Sequence, residues 1–131
     1  MSEMAYHFGK VLDASFEEGV ARAVAALKEQ GFGVLTDIDV QATLKAKLGV
    51  DFRPYRILGA CNPPSAYEAL QAEGRIGLML PCNVIVQERA EGGFEVAAID
   101  PVASMQAVDN PRLLPLAERV QAKLNAVIEG L

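Results

Sequence analysis

Tyr55-Arg56-Ile57-Leu58-Gly59-Ala60-Cys61-Asn62-Pro63-Pro64 holds a strand and the start of a helix with almost nothing between them. Tyr55 to Ala60 is a short apolar run of strand length. Pro63 and Pro64 then open a helix over Ser65 to Ala72, because proline lacks the amide hydrogen that the first helical turn leaves unused. Cys61 and Asn62 are left at a strand-to-helix junction. Proline fixes the backbone there, while asparagine tolerates turn geometry and offers both a donor and an acceptor. A second corner of the same kind stands at Leu80-Pro81-Cys82-Asn83, where the other cysteine again precedes asparagine and lies beside proline.

The same alternation runs in both directions from this stretch. Upstream, Tyr6 to Leu12 reads as a strand with Tyr6, Phe8 and Lys10 on one face and His7, Gly9 and Val11 on the other. Ser15 and Glu18 have capping-box spacing and start a helix whose apolar stripe is Phe16, Val20, Val24 and Leu27 and whose stop is Gly31. Phe32 to Ile38 is a buried strand, and Asp39 caps a short helix that runs to Leu48 and ends at Gly49. Downstream, Ile76 to Leu80 and Val84 to Gln87 read as strands. Pro81 between them cannot donate to a ladder, so the chain must bend, bulge or run along an edge there. Glu91-Gly92-Gly93 makes a turn from which Phe94 to Ile99 returns antiparallel, and Asp100-Pro101 ends that hairpin. Leu114 to Ile128 carries Ala117, Val120, Leu124 and Val127 at helical spacing, on a helix that packs against the sheet or a second subunit.

A chain of 131 residues, without repeats or a long linker, suits one domain. Hydrophobic residues make up 51% of it and its mean hydropathy is +0.19, more apolar surface than a monomer of this size readily hides, so self-association is expected. Twelve Lys and Arg against 17 Asp and Glu give a net charge of -5, the opposite of a phosphate-backbone binder. Met1 to Phe8 has neither a basic leader nor an apolar core, and no apolar run approaches the roughly 20 residues that span a bilayer. The expectation is a cytoplasmic protein with no nucleic-acid or membrane partner, in which both cysteines are thiols.

The chain resembles the family catalogued as domain of unknown function 302. The resemblance rests on Gly33-Val34-Leu35 with Ile38-Asp39, on Arg56 to Pro63 with Ala66 and Leu70, and on Ile76 to Val84 through to Asp100-Pro101. The two Cys-Asn corners are its most specific part. It implies a single α+β domain, with a mixed or largely antiparallel sheet, helices packed on it, and a homodimeric assembly. It brings no assigned reaction, catalytic set or cofactor.

The candidate site residues are Cys61, Asn62, Cys82, Asn83, Arg56 and Asp100. Two readings stand for the thiols: small, partly buried turn residues, or a reactive pair aided at Cys61 by the helix N-terminus. A closed zinc site within one subunit lacks ligands, since the chain has two cysteines and one histidine; two subunits together supply four thiolates. Asn62 and Asn83 either close turns or bind a ligand, and Asp100 is a cap or faces a cleft. Arg53 and Arg56 with Tyr55 attract an anion or are surface charges with packed stems. Asp37 and Asp39 are a carboxylate pair if the strand continues through them. His7 has no nucleophile motif beside it. These features favour a small homodimeric module with a ligand or partner cleft near the Cys-Asn corners. The alternative is thiol redox chemistry or an inter-subunit metal site at Cys61 and Cys82.

Overall fold

The computed structural model describes residues 5–131. Five strands form one antiparallel sheet: β1 (His7–Leu12), β2 (Gly33–Asp39), β3 (Tyr55–Cys61), β4 (Cys82–Glu88) and β5 (Phe94–Ile99), in the spatial order β1-β5-β4-β3-β2. The helices are α1 (Phe16–Glu29), α2 (Val40–Leu48), α3 (Pro63–Ala72), the single turn α4 (Pro101–Ser104) and α5 (Leu113–Glu129). The α+β class and the antiparallel sheet are as the resemblance implied.

Because β1 and β2 are opposite edges, α1 must cross the sheet to connect them, and it packs on β2, β4 and β5 on the way. The serine half of its capping box forms, with Ser15 Oγ accepting the Glu18 amide at 3.1 Å. The stripe it buries is Gly19, Ala23 and Leu27, with Phe16 and Val20 packed alongside, whereas Val24 is exposed at the rim. The physical reason is Gly19. A Cβ there would run into the Phe94 ring, so glycine lets α1 lie flat on the sheet and turns Val24 outward. Asp39 caps α2 through the Ala42 amide at 2.9 Å, and Gly49 ends that helix at φ 69°.

Strand alternation sorts the sheet into two faces. Leu58 and Ala60 of β3, Val84 and Val86 of β4, and Phe94, Val96 and Ala98 of β5 all point to one side and form the main core with Leu27 and Leu124. The opposite face carries Ile57, Ile85, Ala97 and Ile99, and no helix covers it among the described residues. Expected position and finding part at Ile76 to Leu80. This segment is a 3-10 turn over Ile76–Met79, closed by Leu78 N–H to Arg75 carbonyl and Leu80 N–H to Gly77 carbonyl bonds. A strand would put Ile76 and Leu78 on one face, yet Ile76 is fully buried and Leu78 is 85% exposed. Burial of Ile76 beside Ala69, Leu113 and Leu116, in a second apolar cluster, decides the geometry. β4 starts only after Pro81, at Cys82. No described helix is long and apolar enough to cross a membrane.

Candidate functional site

The two apolar clusters do not meet completely. Between them lies a cavity of about 270 Å³. Its floor is the end of the sheet: Ala60 and Cys61 of β3, then Pro81 and Cys82, with Ala60 paired directly to Cys82. Ser65, Ala66, Ala69 and Leu70 line it from α3, and Leu113, Leu116, Ala117 and Val120 from α5. Pro101, Met105, Leu80, Phe32 and Leu35 complete the wall. Small side chains at Ala66, Ala69 and Ala117 keep the space between the two helices open, because no larger group reaches across it.

The Cys61 corner is held by Asn62. Its Oδ1 caps α3 by accepting the Ser65 amide at 3.2 Å, and its Nδ2 donates to the Gly31 carbonyl at 3.2 Å. Gly31 has φ 84°, the left-handed backbone that ends the α1 turn, and it presents that carbonyl to α3. Asn62 thus ties three segments together, and its amide is already engaged on both sides. Cys82 lies at the other corner. Burial pushes its thiol up to about 11, because a thiolate there would lose hydration, and the neighbouring Cys61 adds a smaller push in the same direction. Both cysteines are free thiols.

Of the six sequence candidates, Cys61, Asn62 and Cys82 line the cavity. Asn83 does not: one residue further along β4 it turns to the opposite face, in a shallow hollow with His7, Tyr55 and Ile85. Arg56 is also elsewhere, clamped by Asp37 in a bidentate pair at 2.8 and 2.7 Å. That pair lowers the Asp37 pKa through its hydrogen bonds and raises that of Arg56; Asp39 and Glu17 add to the latter, so this guanidinium is surrounded by carboxylates. Asp37 and Asp39 therefore serve Arg56 and the α2 cap rather than forming an acid-base pair. Arg53 donates twice to Gln87 Oε1 and stacks over Phe52. Asp100 caps α4 through the Val102 amide at 3.0 Å and accepts from Gln121 of α5 at 3.0 and 3.2 Å. It positions Pro101 at the cavity wall without facing the space itself.

Sequence reading missed the contribution of Leu35, Ser65, Met105 and Leu116. Ala66 and Leu70 in α3 and Ala117 and Val120 in α5 had been legible as helix positions, but not as two sides of one space. Among the described residues no group of three or more His, Cys, Asp or Glu is arranged to hold a metal ion.

The family model for "Domain of unknown function DUF302" matches residues 8–131. A solved structure described as "Crystal structure of uncharacterized conserved protein DUF302 from Bacillus stearothermophilus" is similar to this chain with a TM-score of 0.88 at 28% identity. The match covers 95% of this chain and 97% of that one. No curated protein matches the sequence.

Proposed function

The chain belongs to the DUF302 family, and on that premise we propose that it is a small homodimeric binding module whose ligand site is the cavity between α3, α5 and the Cys-Asn end of the sheet. The observation that carries this reading is the gap itself: two apolar clusters held apart, with both cysteines at the border. The walls of this space are almost wholly apolar, so its water makes few hydrogen bonds there and its lining forgoes packing contacts. A small molecule seated there recovers the contacts.

The homodimer half of the reading is supported by the uncovered sheet face. Strands of six and seven residues, five across, make a face of roughly 500 Å² in projection, and side-chain relief raises its accessible area toward the roughly 800 Å² per partner of a standard interface. Ile38, beside Ile57 at one edge, and Val11, beside Glu95 at the other, are about half exposed on it. Its central polar groups already satisfy one another, since Gln87 accepts from Arg53 and donates to Glu95 at 2.9 Å, which lowers the cost of covering them. A second copy of this chain is the partner we assign to that face.

The thiol alternative retains one supporting observation, the shared cavity border of Cys61 and Cys82. The raised pKa of Cys82 weighs against it as a nucleophile. A four-thiolate inter-subunit metal site needs the cysteines at the dimer contact, whereas they border the cavity on the helix-covered side of the sheet, away from the face assigned to the second copy. Sedimentation equilibrium and equilibrium dialysis with 1-naphthol test the preferred reading. It requires a dimer that takes up one probe per chain, and an Ile57→Lys variant that sediments as a monomer. A wild-type monomer removes the dimer half, and no uptake removes the cavity half.

A further inference from the structure

We propose that the ligand of this cavity is an uncharged, largely apolar molecule of about bicyclic-aromatic size that enters between Leu35 and Leu70, an inference that rests on the cavity being a ligand site. Among the described residues that line it, not one carries a charge. An ionised ligand group would therefore lose its hydration without gaining a counter-charge, a penalty that favours the neutral form strongly. The polar atoms present give little help. Asn62 spends one N–H on Gly31 and one lone pair on the Ser65 amide, so its second N–H and second lone pair, the Ser65 hydroxyl and the two thiols are the neutral polar side-chain partners a ligand could find. Cys82 is itself neutral at physiological pH, because its burial holds the proton on sulfur.

Size follows from volume. A dry apolar cavity of about 150 Å³ accepts benzene. The space here, about 270 Å³, is nearly twice that and fits two fused rings or an alkyl chain of similar bulk.

The way in follows from backbone irregularity. Pairing between β2 and β3 slips between Val34 and Thr36, so Leu35 drops out of the ladder. A bulge of this kind redirects the side chain it carries. Leu35 is 68% exposed and yet borders the cavity, as does Leu70 of α3 at 45%. These two exposed leucines on the border of the cavity are the apolar mouth assigned to it, and a charged or strongly hydrated molecule gains nothing by crossing them.

Calorimetric titration at pH 7 with 1-naphthol, the 1-naphthoate anion and the 1-naphthylmethylammonium cation tests the inference on the intact chain. The expected result is saturable binding of 1-naphthol, one per chain, with both ions at least tenfold weaker. Ala66→Phe, which fills the space from α3, is expected to weaken 1-naphthol at least tenfold while keeping the wild-type circular dichroism. Ala117→Leu provides a smaller filling from α5. A readout without substitution is alkylation: bound 1-naphthol slows modification of Cys61 and Cys82 at least fivefold. Equal or tighter binding of either ion overturns the ligand class and leaves the cavity reading standing. Absence of binding by all three probes, or unchanged alkylation under saturating 1-naphthol, overturns the cavity reading itself.

Discussion

Replacing Cys61 by serine leaves Cys82 as the chain's single thiol, and the rate at which it alkylates follows from its surroundings. Burial, the larger cause, and the neighbouring Cys61, the smaller one that serine removes, together move its pKa from 9.0 to about 11 in the native chain, so the factors that follow are upper bounds for the variant. At neutral pH that leaves about a hundredfold less thiolate than an ordinary cysteine carries. A thiolate of higher pKa is intrinsically more nucleophilic, which with a Brønsted slope of about 0.45 returns a factor of about eight. The net expectation is alkylation roughly tenfold slower than free cysteine. Rates measured by mass spectrometry with iodoacetamide from pH 7 to 11 are expected to keep rising past pH 10, where free cysteine has reached its plateau. The reasoning is refuted if Cys61→Ser protein reacts at the free-cysteine rate at pH 7. That result would return Cys82 to the nucleophile role of the thiol reading.

The same proton gives a stability prediction. Between about pH 9 and 11 the unfolded chain has released the Cys82 proton while the folded chain still holds it, so stability falls as pH rises through this window, by up to about 3 kcal/mol. Cys82→Ala is expected to flatten that slope in urea denaturation; an identical slope contradicts the assignment. Gly19→Ala is expected to destabilise by about 1–3 kcal/mol, because its Cβ enters the Phe94 ring and this overpacking outweighs the roughly 0.5–1 kcal/mol that alanine gains in a helix; an unchanged urea midpoint means α1 does not lie this close to the sheet. The Asp37 pKa is lowered by Arg56, so the pair stabilises the fold above the unfolded value of 3.8 and that contribution disappears as pH falls through the lowered one. Both groups are partly solvated, so Asp37→Asn costs less than about 1 kcal/mol at pH 7 and nothing near pH 2; a cost that grows toward acid pH reverses the sign of the argument.

What the sequence made legible was local. Caps at Ser15 and Asp39, the stop at Gly49 and the Gly92-Gly93 turn, with φ of 106° and 68°, are each set by a residue and its immediate neighbours. The strand-to-helix junction at Cys61-Asn62 was readable for the same reason, and Asn62 does cap α3. Ile76 to Leu80 was not, because alternation and a single buried turn look alike over five apolar residues, and only the Ala69, Leu113 and Leu116 surface chooses between them. Val24 was misplaced because periodicity weighs large side chains, whereas the close approach of α1 depends on the smallest one, Gly19. The two Cys-Asn corners look equivalent in sequence, yet α3 draws Asn62 toward the cavity while strand alternation carries Asn83 to the opposite face. Leu35 left no signal, since a bulge arises from the pairing of two distant strands.

The central claim is that the space beside Cys61 and Cys82 holds a small molecule, and a two-dimensional amide NMR titration with 1-naphthol tests it residue by residue. The account predicts saturable shifts that cluster at Ala60 to Leu70, Leu80 to Cys82 and Leu113 to Val120, the three segments that wall the cavity. Shifts centred instead on the uncovered sheet face at Ile57, Ile85 and Ala97, or no saturable shifts at all, would contradict it.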